Sequence, residues 1–542
     1  MDLPHVVVVI MAQITAVDRK RRFVKPLAVL VAVGLVLPSC SDLRRDPRSL
    51  APASSNHPWA SDAVPILGHE VLSVSEQDHH LAAHSLDTGR TYSLPDLVDL
   101  AQSRNASTRA AWETARATAA SIGMAKSQYY PLLAIAASSG GGYSNSKIRI
   151  DANLAELAKR NDLLGALLGG NASSNASLNL DTSADYSRSV AGLDLKWLLF
   201  DFGGRRATLD AARKATLAAN LSFNATHQSL TYKVVEAYVL YEAARSEVQA
   251  SQVSAESARG ILKATQAKAD HGLSTDPELL RSKQVAAESD YALTTANSKL
   301  RMAYVDLAEA AVIPPGVELN IGRPNIAQMS AGLEKPLDTY IRLALLRRPD
   351  LQAKLAVVQA REAELRKARS AGMPTVSLLG SASYTGFDND IRGSGALKEV
   401  DADLQNYGAF LTVQWPLFTG GYEENSVRAA ESTRRAAEEE LALARDKAVA
   451  DVWRGYVKAK NSISSRSVAD AMLAASRASY DSALAGYDRG VVTNQDLLLA
   501  RGAYAKALYT RSEADSAVLG ALASLALGSG DIEDELIKRF RK

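Results

Sequence analysis

The chain repeats itself, and that constrains its fold more than any other feature. Trp197-Leu198-Leu199-Phe200-Asp201-Phe202-Gly203-Gly204 returns as Trp415-Pro416-Leu417-Phe418-Thr419-Gly420-Gly421, at an offset of 218. The same offset joins His271-Gly272-Leu273-Ser274-Thr275 to Arg489-Gly490-Val491-Val492-Thr493, and Tyr291 to Tyr509. Earlier in each copy the offset is 243, from Leu100-Ala101 to Leu343-Ala344 and from Pro131 to Pro374. The 25 extra residues of the first copy therefore fall between Pro131 and Trp197. There Ser138-Ser139-Gly140-Gly141-Gly142 and the Asn/Ser-rich run Asn171 to Ser177 read as a lengthened surface loop. A chain of 542 residues would suggest three or four globular domains by length alone. Two ordered copies of one unit argue instead for a single elongated architecture.

Within each copy the pattern reads helix, two strands, long helix, helix. Leu94 to Gln128 is rich in Ala, Arg and Glu and reads as one helix ending before Pro131. Gly203-Gly204 opens a second helical region that runs without proline to about His271. Its apolar or small positions step by four and three: Leu230, Val234, Ala237, Tyr241, Ala244, Val248, Ser251, Ala255, Ala258, Leu262. A period of about 3.5 held over several heptads predicts a coiled coil, and at about 1.5 Å per residue the helix extends about 100 Å. Val449, Val452, Tyr456, Ala459 and Ile463 repeat the stripe. His271-Gly272 and Arg489-Gly490 break both helices, and shorter ones return from about Asp276 and Asn494. An aromatic content of only 6% suits such alanine-rich helices better than a globular core.

The strands alternate with a period of two. Ala191, Leu193, Leu195, Trp197 and Leu199 share one face, against Arg188, Gly192, Asp194 and Lys196 on the other. Tyr407, Ala409, Leu411, Val413, Trp415 and Leu417 repeat this against Gly408, Thr412 and Gln414. Such a sheet stands between lipid or core and water. Transmembrane barrels need at least about eight strands. Four strands cannot close one, so membrane-crossing strands here require several chains to share a barrel. Trp197 and Trp415, near strand ends, fit an interfacial aromatic belt.

The N-terminus reads as an export signal. Arg19, Lys20, Arg21, Arg22 and Lys25 precede the apolar run Leu27 to Leu37, then Pro38-Ser39-Cys40. The run is too short to span a bilayer, which takes about 20 apolar residues. Leu37, Ser39 and Cys40 resemble a bacterial lipobox, with Pro38 in place of the usual small residue. Cys40, the only cysteine, excludes an intrachain disulfide and a cysteine-built zinc site and becomes the candidate lipid anchor. The expected boundaries are a signal peptide over 1–39, an N-terminal extension over 40–91, repeats over 92–313 and 336–530 joined by a linker over 314–335, and a tail over 531–542.

From about Tyr92 to Gly530 the chain resembles the TolC family of bacterial outer-membrane efflux proteins. The resemblance rests on the duplicated Trp197 to Gly204 and Trp415 to Gly421 motif, on the tip motifs Gly272 to Leu280 and Gly490 to Leu498, and on the openings Tyr92-Ser93-Leu94 and Pro336-Leu337. It implies a mainly α fold with a small β part. Three protomers would form a twelve-stranded outer-membrane β-barrel, continued by a periplasmic α-helical coiled-coil barrel. It further implies a periplasmic adaptor protein and an inner-membrane transporter of the resistance-nodulation-division (RND) or ABC type as partners. Carried over by position, Tyr487 matches the tyrosine of the periplasmic gate, Glu278 its acidic partner, and Asp496 an acidic ring at the closed entrance. A second acidic position falls on Leu499 and a gate arginine on Val492, which are departures from the pattern. Glu278 and Asp496 also suit a simpler role, capping the first turns of the returning helices. The exposed tips Gly272, Leu273, Ser274, Thr275 and Gly490, Val491, Val492, Thr493 are the candidate adaptor-docking sites, against plain turns.

Other chemistries find no support. Lys+Arg 62 against Asp+Glu 60 gives no nucleic-acid footprint. Of His79, His80 and His84, two share an i,i+4 face without an acidic or cysteine partner at ligand spacing, so they read as surface residues and no metal or other cofactor is expected. There is no G-x-S-x-G, H-E-x-x-H, P-loop or G-x-G-x-x-G signature. The expectation is a passive exit duct of a tripartite efflux system in the outer membrane, extending into the periplasm. The alternatives are the exit duct of type I protein secretion and, from another class, a periplasmic coiled-coil scaffold.

Overall fold

A computed structural model describes residues 86–153, 175–323, 335–393 and 399–530, together with Leu333 and, near the N-terminus, 51–52, 54–57 and Trp59. Cys40, the histidines 79, 80 and 84, and the tail 531–542 lie outside the described residues. The first copy contains β1 (Thr91–Tyr92), α1 (Leu94–Arg104), α2 (Ala106–Ser127), β2 (Leu132–Asn153), β3 (Asn175–Phe200), α3 (Gly204–Asp270) and α4 (Asp276–Ala310). After β4 (Asn320–Ile321) the second continues with α5 (Leu337–Arg347), α6 (Pro349–Ala371), β5 (Thr375–Gly393), β6 (Glu399–Gln414), α7 (Tyr422–Asp488) and α8 (Asn494–Ser529).

The two long helices each run 67 residues. Of the ten stripe positions from Leu230 to Leu262, six are fully buried and the others half-buried. α3 lies against α2, α4, α6 and α8, while α7 packs on α5, α6 and α8. The expected single helix over Leu94 to Gln128 is two helices. Asn105 adopts an extended conformation at φ −71° and ψ 131°, and its side chain accepts from Ser107 N. An Asn that can cap its own next turn competes with helix continuation. In the second copy Arg348 makes the same break, where Pro349 bars its predecessor from the helical region.

Four antiparallel strands form one sheet in the order β2-β3-β5-β6. β3 pairs with β5, joining the two copies edge to edge. The expected loop over Ser138 to Gly142 is instead part of β2, and Asn175 to Ser177 belong to β3. Gly142 faces Tyr186 across the strands, and a Cβ at Gly142 would stand 2.6 Å from the Tyr186 hydroxyl. The glycines make room for an aromatic side chain, a cross-strand pairing that a composition-based loop reading cannot see. Much of the extra length of the first copy is strand: β2 and β3 have 22 and 26 residues, β5 and β6 have 19 and 16. Asn171 to Ser174 lie outside the described residues. At the foot of β3, Trp197 Nε1 donates to Tyr129 O at 3.0 Å, and Arg205 donates to Leu198 O and Leu199 O at 2.6 and 2.8 Å. Those bonds fix the strand-to-helix junction. Trp415, just past β6, is exposed.

Away from the sheet, a core from both copies joins Leu94, Leu97, Val234, Tyr238 and Leu307 to Tyr340, Val452, Leu519 and Leu525. Over it, β1 pairs in parallel with β4, Thr91 with Asn320 and Tyr92 with Ile321. Tyr238 donates to Gly322 O at 2.7 Å beside this ladder. Residues 51–52, 54–57 and Trp59 lie along α2 and α3. Trp112 Nε1 donates to Pro52 O at 2.7 Å, His227 Nε2 meets Ser55 O at 2.9 Å, and Asn224 bonds both Trp59 N and Trp59 O. Ala51 sits among Ala115, Ala119 and Ala219. Side chains of α2 and α3 read main-chain atoms of this strap, so it is held as a peptide backbone. No described helix is long and apolar enough to cross a membrane, which says nothing of the sheet.

Candidate functional site

The ends of the long helices, farthest in sequence from the sheet, form two tips. Gly272 and Gly490 adopt φ of +70° and +78°, the left-handed region that costs glycine nothing. Each completes a Schellman cap. Gly272 N donates to Ala269 O and Leu273 N to Lys268 O, and Gly490 N and Val491 N do the same to Tyr487 O and Gly486 O. Leu273 and Val491 are left 77% and 78% exposed, equivalent apolar residues at equivalent corners. Val492, at the position of the resemblance's gate arginine, packs over Gly486, where a Cβ would come within 2.4 Å of it. Leu499 points outward.

Glu278 caps the first returning helix, whereas Thr493 caps the second and binds the Asp496 carboxylate. The Glu278 carboxylate accepts from Thr275 N at 3.0 Å and from Ser274 Oγ at 2.8 Å, closing a capping box. The Thr275 N–H, and then the Ser274 hydroxyl, hold the Glu278 carboxyl below the usual carboxylate range. Thr493 Oγ1 accepts from Asp496 N at 3.1 Å and donates to the Asp496 carboxylate at 2.6 Å. Capping thus engages both acids within one protomer, and neither Glu278 nor Asp496 is buried.

Tyr487, 5% exposed, packs with Ile261, Leu497 and Leu498, which ties the two tips together. Thr265 donates its hydroxyl proton to Ile261 O at 2.9 Å, so at 3.2 Å Tyr487 must be the donor and Thr265 Oγ1 the acceptor. Ser282 Oγ donates to the same Thr265 oxygen at 3.3 Å and accepts from Asn494 Nδ2 at 3.0 Å. Asn494 Nδ2 also reaches Glu278 O at 3.3 Å. Tyr487 and Glu278 share no hydrogen bond within the protomer, yet this chain of four bonds runs from one to the other. Lys268 Nζ adds a bond to Tyr487 O at 2.9 Å and stands 3.5 Å from the centre of its ring.

Further along, Arg501 is 7% exposed and lies between α3, α4 and α8. It donates to Ser254 O, Ser254 Oγ and Ser289 Oγ at 2.8, 2.5 and 2.7 Å. Among the described residues no carboxylate pairs with it, and burial pushes its pKa down. Tyr480 stacks on Tyr504 and shares a 2.6 Å hydrogen bond with Ser257. The sequence reading missed Thr265, Lys268, Ser282, Asn494 and Arg501. The duplication held a signal for three of them: at the offset of 218, Thr265, Lys268 and Ser282 align with Ala483, Gly486 and Ala500. A polar residue in one copy and a small one in the other marks a place where the copies pack on each other. Among the described residues, no His/Cys/Asp/Glu group could hold a metal ion.

The arrangement is two helical hairpins joined by polar contacts at one end of long packed helices, with a sheet at the other end. Comparison with known proteins agrees with it. The chain is 26% identical over 363 residues to Protein CyaE of Bordetella pertussis, covering 67% of this chain and 68% of that protein. It is 25% identical over 317 residues to Outer membrane protein TolC of Escherichia coli, covering 57% of this chain and 62% of that one. The chain thus spans about two thirds of the length of these relatives. The fold matches the CmeC outer membrane channel of Campylobacter jejuni with a TM-score of 0.61 at 19% identity, over 90% of this chain and 98% of that one. The profile of the outer membrane efflux proteins matches residues 97–311 and 340–531, one segment in each copy. With both halves of the duplication matched, the chain belongs to the outer membrane efflux protein family.

Proposed function

We propose that three copies of this chain close one barrel in the outer membrane and form the passive exit duct of a tripartite efflux system. The observation that carries this is the four-stranded sheet with two open edges. β2 and β6, of 22 and 16 residues, each pair on one side only. Long unpaired edges are a liability in water and are not tolerated in a bilayer, so they require neighbours. Joining β2 of one protomer to β6 of the next supplies them, and three sheets give twelve strands. The helices continue the tube into the periplasm, where the tips close it.

In this reading Tyr487 and Glu278 belong to the latch that holds the tips shut, and Asp496 contributes to an acidic ring at the entrance. Gly272 to Thr275 and Gly490 to Thr493 receive a periplasmic adaptor, whose engagement untwists the tips. Energy comes from an inner-membrane transporter, since a duct needs no catalytic group of its own. Cys40 carries the lipid that joins the N-terminal strap to the membrane. The test is to purify the full chain in detergent, determine its oligomeric state by native mass spectrometry, and record from planar bilayers. A trimer with discrete channel openings is expected. A monomer extracted without detergent, or a trimer that conducts nothing even after the tip bonds are removed, would overturn the duct. Export of a dye rather than of a protein substrate by cells carrying the gene separates efflux from protein secretion.

A further inference from the structure

The sheet is longer than a membrane needs, and its two faces exchange character along the strands. A membrane-spanning strand takes about 9–11 residues, whereas β2 and β3 have 22 and 26. Opposed residues of paired strands share a face, so the register sorts the chain into two sets. Near the helices one face holds Leu133, Ile135, Leu193, Leu195, Leu411 and Val413. Towards the far end the same face holds Lys147, Arg149, Asp181, Asp388, Asp401 and Asp403. The opposite face there holds Ile148, Ile150, Leu178, Leu180, Val400 and Leu404. Apolar outside and polar inside suits a bilayer, and the reverse pattern suits water. The charges are also sorted between the two open edges. β2, at one edge, carries Lys147 and Arg149, while β6, at the other, carries Glu399, Asp401 and Asp403 on the same face.

We infer that the far half of the sheet stands in water outside the membrane, and that there Lys147 and Arg149 of one copy clasp Asp401 and Glu399 of the next. This rests on the three-copy barrel proposed above and names what aligns its seams. Copies joined about one axis bring β2 and β6 together antiparallel. Level at their near ends, Leu132 beside Gln414, the edges set Lys147 opposite Glu399 and leave Arg149 past the end of β6. Drawn two residues further, they set Lys147 opposite Asp401 and Arg149 opposite Glu399. Drawn further still, to the far-end match of Asn153 with Glu399, they bring Asp151 opposite an acid. Opposite charges across strands are favourable and like charges are not, so the middle register is selected. Two β6 edges would meet acid to acid and two β2 edges base to base. The charges therefore favour head-to-tail closure by copies of this chain over pairing of like edges. An exposed pair contributes little alone, but the clasp recurs at every seam of the trimer.

The experiment combines Lys147→Cys in turn with Glu399→Cys, Asp401→Cys and Asp403→Cys in the full chain, and reads membrane fractions on non-reducing gels. The pair with Asp401→Cys is expected to give the most covalent trimer, because directly opposed residues come nearest to disulfide reach. Lys147→Cys with Ala402→Cys, on the opposite face, should give only the background of Lys147→Cys alone. A strongest crosslink at another position, or none at all in a chain that still forms conducting trimers, would overturn the clasp and leave the duct standing. Charge reversal supplies the second measurement. Lys147→Glu with Arg149→Glu should shorten the lifetime of the detergent-solubilised trimer about tenfold at about 50 mM salt, and less at about 0.5 M. Adding Glu399→Lys and Asp401→Lys to the same chain should restore it. A lifetime that ignores the reversal, or that the second pair of changes does not rescue, would also overturn the inference. A wild-type chain found to be monomeric would overturn the duct, and the clasp with it.

Discussion

At the residue scale, His227 gives the sharpest pH dependence. It is 1% exposed, packs edge-on against Phe223, and its Nε2 must donate to Ser55 O because a carbonyl can only accept. Nδ1 is buried without a partner. Protonation would place a charge there with no acceptor, beside His57 of the strap. Burial first, and the neighbouring His57, lower its pKa to about 4 from 6.5, with the Ser55 carbonyl pulling the other way. A folded pKa below the free value means that docking of the strap is fully supported above pH 6.5 and weakens as pH falls towards 4. At pH 5 the loss is about 2 kcal/mol. Protection factors over the described residues of 51–59, with the intrinsic pH dependence of amide exchange divided out, should therefore fall from pH 7.5 to pH 5, and His227→Gln should flatten that fall. Protection that ignores pH in the wild type would remove the histidine from the strap's docking.

Tyr487 gives the second prediction at this scale. Tyr487→Phe removes one donor to Thr265 but keeps the ring under Lys268, so the latch loosens by about 1 kcal/mol and stays folded. Single-channel conductance should rise. Unchanged conductance would show that the bond to Thr265 holds nothing that moves. The tyrosine and both acids were singled out in the sequence by the family resemblance. Their partners were not, because the bonds to Thr265 and Lys268 cross from one copy to the other over more than two hundred residues.

At the element scale, what could be read was what repeats locally. Gly203-Gly204 gave the start of α3, the stripe from Leu230 to Leu262 its body, and His271-Gly272 its end. Two features escaped because a single strand of evidence pointed the other way. The helix break at Asn105 hides in an alanine-rich run, although the offset of 243 aligns Ala106 with Pro349, which marks the same break openly. The pairing of β1 with β4 involves two residues each, too short for any periodicity to register. Packing between long helices was equally invisible. Gly455 of α7 sits against the α8 main chain, and a Cβ there would stand 3.0 Å from Leu525 Cα and 3.1 Å from its nitrogen. Gly502 of α8 has nothing within 4 Å of such a Cβ. Both glycines are helical, so propensity alone favours alanine at each by up to about 1 kcal/mol. Gly502→Ala should raise the thermal midpoint followed by circular dichroism. Gly455→Ala should lower it, by an overpacking cost of about 1–3 kcal/mol. Equal shifts for the two would mean that the crossing is not as close as the structure has it.

At the scale of the whole molecule, the proposed trimer would give one residue a second role by symmetry. In a single protomer Asp496 is an exposed acid in the first turn of α8, hydrogen-bonded to Thr493. That is sufficient to explain its presence, and a capping acid gains from the helix dipole. In the trimer proposed above, three copies about one axis would add a property that no protomer has: a ring of like charges that draws cations in and binds divalent ions across the entrance. The two roles separate under substitution. Asp496→Asn keeps the size of the side chain and the Thr493 bond to the Asp496 backbone N–H, so the cap survives with a loss of a few tenths of a kcal/mol to about 1 kcal/mol. The charge of the ring, however, disappears in all three copies at once. Block of the channel by divalent cations in planar bilayers should therefore weaken severalfold while the melting temperature barely moves. A variant that melts earlier but is blocked as before would assign Asp496 to capping alone. The closed entrance would then have to be sought higher in the tips, around Tyr487 and Lys268.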